Sequence, residues 1–201
     1  MKKVVFLIAA LFTTYFAQAQ DGIKLGLKAG VNVSSVVGKD TENLGNLLGL
    51  HAGGFLDYGL TDQFSIRPEL LYSLKGFYAE AEEEDFEYKS YLTSHYIDLP
   101  VLGRFKAGNF FIEAGPTFSF LLSAKSRDEG EIMGEEYEET ETVTDEFNKF
   151  DLGIAAGVGY QFQSGLGLGL RYNRGLSKLD KSGEAKAFNS SFQLGVSYTL
   201  R

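Results

Sequence analysis

The stretch GLGLGLRYNRGL, residues 165–176, sets leucine at every second position and leaves glycine between. Alternation with period two is the signature of a strand with one apolar face. Glycine weakens a strand, because it has more backbone freedom to lose and no side chain to pack. A strand that keeps a strict apolar face and a bare opposite face therefore needs a special environment.

The same alternation recurs along the chain, in runs near 23–33, 50–60, 64–75, 91–105, 110–120, 150–162 and 192–200. With the opening stretch this makes eight runs. Most are at least as long as the roughly ten residues with which a tilted strand crosses a bilayer. The connections sort by length. Three are tight: 61–63, 106–109 and 163–165. Four are expected to be long: about 34–48, 79–90, 124–147 and 177–187. Short and long alternate, as they do in outer-membrane barrels with short periplasmic turns and longer extracellular loops. The expected fold is all-β: an eight-stranded antiparallel up-and-down transmembrane barrel, with both termini periplasmic.

A soluble eight-stranded barrel points its apolar face inward. Here the polar face argues for the reverse. It carries Gly26, Gly30, Gly53, Gly59, Gly153, Gly157, Gly159, Gly167 and Gly169. Eight strands leave an interior only wide enough for side chains to fill. Bare positions make room there for Lys24, Lys28, Arg67, Glu69, Lys75, Asp98, Arg104, Glu113 and Arg171. These charges have both signs, and buried charges must be paired. They are expected to form a lumen network.

Outward aromatic residues fall into two sets. Tyr58, Phe64, Phe110, Tyr160, Phe162 and Tyr198 lie near the short turns. Tyr72, Tyr78, Phe118, Phe120, Phe150 and Tyr172 lie toward the long loops. Two girdles at the membrane interfaces account for them. Pro68, Pro100 and Pro116 fall inside expected strands, where each removes a ladder donor, so bulges or breaks are expected beside them.

The chain starts MKKVVFLIAALFTTYFAQAQ. A basic start, an apolar core too short to span a bilayer and the small-x-small site Ala17-Gln18-Ala19 read as a secretory signal at 1–19. The barrel domain is then 20–201. Loss of Lys2 and Lys3 leaves 17 of the 19 basic residues against 27 acidic ones, a net charge of −10. That argues against nucleic acid, whose phosphates need a basic face. Without cysteine there is no disulfide, thiolate metal site or cysteine nucleophile.

The segments FSIRPELLYSLKG (64–76), YIDLPVLGRFKAGNFFIEAGPTFSFLLS (96–123) and FQLGVSYTL (192–200) resemble the outer-membrane β-barrel proteins of Bacteroidetes-type bacteria, the porin-family or PorT-like proteins. The resemblance covers nearly the whole of 20–201. It implies a small barrel of OmpA/OmpX-like architecture in the outer membrane of a Gram-negative cell, and it makes the strand prolines regular features. It brings no catalytic residues and no cofactor. One branch of the family looks linked to protein secretion. Such barrels commonly finish on an aromatic residue, whereas this chain ends Leu200-Arg201, with Tyr198 nearby.

The acidic stretches 80–87 and 128–146 fall in expected extracellular loops. Glu82, Glu83, Glu84, Asp85, Glu135 and Glu136 are candidate cation ligands, since oxygen donors in number suit Ca²⁺. Neither stretch has the spacing of an EF-hand, and solvated, self-repelling loops account for both. His51 and His95 are expected near the extracellular strand ends, without a nucleophile and orienting group around them. The expected function is a structural or interaction role for a filled barrel through its acidic loops. Its partners would be outer-membrane lipid, lipopolysaccharide and a possible protein, and the barrel itself would be a monomer. A narrow porin-like channel, a component linked to secretion and a lipid-modifying enzyme are the alternatives.

Overall fold

The computed structural model describes residues 22–39, 41, 44–83, 86–132, 135–181 and 186–200. The proposed signal at 1–19 lies outside them. Nine strands follow in order: β1 (Ile23–Gly38), β2 (Leu44–Gly59), β3 (Phe64–Glu83), β4 (Phe86–Ala107), β5 (Phe110–Ile132), β6 (Glu135–Thr142), β7 (Phe150–Gln161), β8 (Leu166–Gly175) and β9 (Ala187–Thr199). Antiparallel pairing runs from β4 through β3, β2, β1, β9, β8 and β7 to β5. A further β4–β5 pairing closes the ring, so β6 stands apart on the outer stretch of β5. The fold is an all-β, eight-stranded, up-and-down barrel. Closure leaves the eight-stranded ring without an edge, which a sheet surrounded by lipid requires.

Alternation decides which way each residue points. Leu27, Leu48, Leu50, Leu70, Ile112, Leu170 and Leu194 are exposed on the outside. Between them, Asn32, Arg67, Glu69, Ser73, Asp98, Glu113 and Arg171 are buried inside. The leucines of 165–176 thus face outward, and Gly169 and Arg171 face the lumen wall.

The tight turns and both described chain ends lie at one end of the cylinder. Gly108 (φ 62°) and Gly165 (φ 93°) stand in the left-handed region that these turns need. Leu200 N donates to the Leu25 carbonyl oxygen at 2.7 Å and fixes the closing strand there.

Two expectations are corrected. The prolines cause no register shift: Pro68 stands opposite Val101 and Leu71 opposite Asp98 in one continuous register. Pro100 likewise faces Thr117 without a shift, and Pro116 faces Ile154. The irregularities lie elsewhere, between Asn46 and His51 on β2 and between His95 and Tyr96 on β4. The first is stitched from inside. Asn32 Nδ2 donates to the carbonyls of Leu50 (3.2 Å) and Leu74 (3.1 Å), and Ser34 Oγ to those of Leu47 (3.2 Å) and Gly76 (3.1 Å).

The second correction concerns the connections at 79–90 and 124–147. They are mostly strand. β3, β4 and β5 run for 20, 22 and 23 residues, against 10 for β8. Ten residues suffice to cross a bilayer, so the longer three project well beyond it. With β6 they form a four-stranded antiparallel sheet beyond the Tyr72 and Phe120 level.

Candidate functional site: a braced lumen and an extended sheet

The lumen is built around one arginine. Arg171 on β8 donates from Nη1 to Glu69 Oε2 (2.7 Å) and from Nη2 to Glu69 Oε1 (2.8 Å) across the barrel on β3. It also donates from Nε (2.9 Å) and Nη2 (2.6 Å) to Glu113 Oε1 on β5. Arg104 on β4 takes the other oxygen of Glu113 through Nε (3.2 Å) and Nη2 (2.7 Å). Lys28 on β1 reaches Glu69 Oε2 at 3.4 Å. A single chain of charges, Lys28–Glu69–Arg171–Glu113–Arg104, therefore ties five strands together. Paired and multiply hydrogen-bonded charges are the form in which ions tolerate such burial.

Two smaller groups flank it. Toward the short turns, Arg67 donates to Asp57, which Lys106 approaches at 3.7 Å. Toward the long connections, Lys75 binds Asp98 at 2.7 Å and Ser119 at 3.3 Å, with its ammonium 4.7 Å from the centre of the Tyr96 ring. Asp151 accepts from Asn189 at 2.9 Å. Lys24 departs from the expected set. It is exposed at the short-turn mouth and joins no ion pair among the described residues, because it sits only one residue into β1.

The inward glycines explain how so many large side chains fit. Gly26 lies directly opposite Phe55, and Gly159 opposite Phe111. A Cβ on either glycine would run into that ring. The two rings in turn carry the arginines: Arg67 lies 4.0 Å from the Phe55 centroid and Arg104 3.7 Å from that of Phe111. Gly169 is less crowded, its nearest neighbours being 3.7 Å from a Cβ. Phe55 and Phe111 were not among the expected lumen residues. Their signal in the sequence is an aromatic out of phase with the apolar series. Asp57 and Asp151 lie on the inward phase of their strands and are buried there, outside the expected network.

Toward the long connections a small apolar cluster stands beside the lumen. Val143 and Phe147 pack on the buried cluster Tyr96, Leu121 and Ala124. Asn148 Nδ2 donates to the carbonyls of Lys178 (2.9 Å) and Asp180 (3.1 Å), joining this segment to the one after β8. A cavity of about 20 Å³ remains beside Arg67, Arg104 and Arg171.

Neither histidine has catalytic company. His51 is buried at mid-height, not at a strand end, and bonds Asn32 Oδ1 through Nδ1 at 2.7 Å. His95 is on the outer surface, 2.5 Å from the Tyr72 hydroxyl. Of the other girdle tyrosines, Tyr58, Tyr172 and Tyr198 are exposed on the outside. Tyr78 contacts Tyr91 (5.9 Å between centroids), and Tyr160 contacts both Phe110 (4.9 Å) and Phe162 (4.8 Å).

On the projecting sheet, Lys89 pairs with Glu80 (2.7 Å), and Arg127 with Glu129 (2.8 Å) and Glu138 (3.1 Å). On its other face Tyr88 donates to Asp128 at 2.8 Å. Hydrogen bonds from the Ser90 and Tyr88 hydroxyls hold the Asp128 carboxyl below its usual value. Among the described residues β6 pairs only with β5, so its other edge is open. Glu84 and Asp85, and the side chains of Glu82, Glu83, Glu135 and Glu136, lie outside the described set. Among the described residues no group of three or more acidic or histidine side chains is arranged to hold a metal.

A closed ring with an apolar exterior and a charged, enclosed interior is the design of a barrel that lives in lipid. The sequence model of the outer membrane protein beta-barrel domain matches residues 16–181, and the chain belongs to that family. It is an outer-membrane β-barrel protein of a Gram-negative cell. Among solved structures it is similar to Ail, the attachment invasion locus protein of Yersinia pestis, at 13% identity and a TM-score of 0.45, over 90% of this chain and 100% of that one. Neisserial surface protein A is similar at 15% identity and a TM-score of 0.44, again over 90% and 100%. The outer membrane protease OmpT of Escherichia coli is similar at 12% identity and a TM-score of 0.38, over 90% and 97%. Likenesses of this degree carry no functional inference. A comparison with curated proteins found no match.

Proposed function

We propose that this protein is a non-catalytic, filled barrel whose projecting β3–β6 sheet meets a protein partner outside the cell. The observation that carries the reading is the open, solvent-exposed β6 edge on a sheet continuous with the rigid wall. An open edge offers unpaired backbone groups to an incoming strand. The acidic residues along β6 favour a basic segment and oppose a second copy of the same edge. Binding regions commonly stand on rigid scaffolds in this way.

The orientation follows from connection length. Short turns belong to the periplasmic side of outer-membrane barrels, so both termini are assigned to the periplasm and the β3–β6 sheet to the exterior. The two aromatic levels seat the barrel as a monomer in outer-membrane lipid and lipopolysaccharide. The braced lumen argues against a narrow porin-like channel, and the pairing of His51 with Asn32 and of His95 with Tyr72 against lipid-modifying chemistry. Nothing in the sheet or lumen favours a link to secretion over other partners.

Cross-linking on intact cells tests the reading. An Asn-Gly turn replacing 128–139 shortens the β5–β6 hairpin to the Arg127–Thr140 pair. Loss of the cross-linked partner with an intact barrel is the expected result. An unchanged partner profile would refute the role of β6. An epitope at 133–134 should be reached on whole cells, and one after Arg201 only after lysis.

A further inference from the structure

We propose that the short-turn half of the lumen holds one small monovalent anion of the halide class between Arg67 and Arg104. Three independent features converge there. The first is charge. The chain Lys28–Glu69–Arg171–Glu113–Arg104 has three cations and two carboxylates, and the neighbouring Arg67–Asp57 pair is neutral, with Lys106 beside it part-exposed at the mouth. One positive charge is left over in a region where Arg67, Arg104 and Arg171 are 2%, 3% and 2% exposed. Uncompensated charge is costly at such depth.

The second feature is donors. Arg67 Nε and Arg104 Nη1 are buried N–H groups that no acceptor among the described residues reaches. A buried donor left unmade costs its full desolvation. The third is space. Both arginines line the cavity of about 20 Å³, with Lys28, Arg171 and the already paired carboxylates Glu69 and Glu113 on its other sides; its volume suits a single water or a monatomic ion and excludes phosphate or sulfate. A water would satisfy the donors but leave the charge. A halide answers both needs.

The mouth nearest this cavity is also cationic. An open pocket of about 370 Å³ at the short-turn mouth is lined by Lys24 and Lys106, with Asp57 at its inner side. Lysines around a concave mouth raise the local concentration of anions. Lys24, which joins no ion pair among the described residues, has a place in this arrangement.

The test uses the protein purified from membranes in detergent. Its thermal unfolding is followed as chloride replaces gluconate at constant ionic strength. A saturable rise in Tm is expected, of roughly 5 °C at a chloride concentration about 100-fold above its Kd. Bromide should reproduce it and sulfate should not. Arg104→Gln removes both the extra charge and one donor, so its Tm should not respond to chloride, whatever its starting value. Should that variant not fold, Lys28→Met removes the surplus charge while keeping both donors, and should weaken the apparent affinity at least tenfold. Crystals grown in bromide should show an anomalous peak between the two guanidinium groups. Identical melting in chloride and gluconate, or no bromide peak at that point, overturns the proposal.

Discussion

β3, β4 and β5 run through two environments, and the comparison between their two halves is instructive. In the ring, each strand has two neighbours, the outer face is apolar and the inner face is braced by buried charges. Beyond the aromatic level, the same strands carry charges on both faces, and among the described residues the sheet ends on an unpaired β6 edge. Apart from the irregularity between His95 and Tyr96, the backbone stays extended strand along the way. The surroundings change. Lipid offers no hydrogen bonds, so edges must close and charges must turn inward. Water solvates both, and exposed ion pairs there contribute little.

The contrast predicts unequal responses to mutation. The largest belongs to the brace. Arg171→Leu leaves Glu69 with only the 3.4 Å contact to Lys28, and should cost about 3–5 kcal/mol in denaturant unfolding from detergent micelles. A smaller loss would mean that the network is better hydrated than its burial implies. Next is the lipid face. Leu194→Arg, on a residue 58% exposed on the outside of β9, should cost about 2–4 kcal/mol if Leu194 lies near the bilayer midplane. In a barrel that instead faced water the same change would be nearly neutral.

Packing inside the wall comes third. Gly159→Leu drives a side chain into the Phe111 ring and displaces Arg104 above it, which should cost about 1–3 kcal/mol. The smallest effect belongs to the projecting sheet. Replacing 128–139 by a turn should leave the unfolding midpoint of the ring within about 0.5 kcal/mol of its original stability. A larger loss would show that sheet and ring fold as one unit. The Asp128 carboxyl sharpens the point. Its folded-state pKa is depressed, so its contribution is present above the unfolded value and fades as pH falls through the folded one. Tyr88→Phe should therefore ease local opening of the sheet near neutral pH, read by hydrogen exchange. The difference from the original chain should shrink in acid.

The ring was legible because lipid imposes a strict period of two, and because tight and long connections alternate. The projecting sheet was not. In 79–90 the sequence runs acidic without a break at 82–85, so no apolar alternation marks a strand, although Glu80 and Lys89 are paired in register. Which charges face the lumen could be read from phase, but their partners could not. Arg171 and Glu69 are 102 residues apart and on strands that are not neighbours, so only the stagger of the closed ring brings them together. Lys24 shares the phase of the network residues and still misses it, because depth along the barrel axis is invisible to periodicity. Gly26–Phe55 and Gly159–Phe111 did leave a trace, an aromatic set against a bare position on the facing strand.

The Arg171–Glu69 bond has a consequence for biogenesis. Its two ends meet only after β8 and β3 have curled to opposite sides of one cylinder. In an incompletely zipped sheet both groups would face the bilayer or the assembly machinery without each other. Insertion is thereby given a direction: a half-rolled intermediate bears naked charges, and sealing the seam between first and last strands is what relieves them.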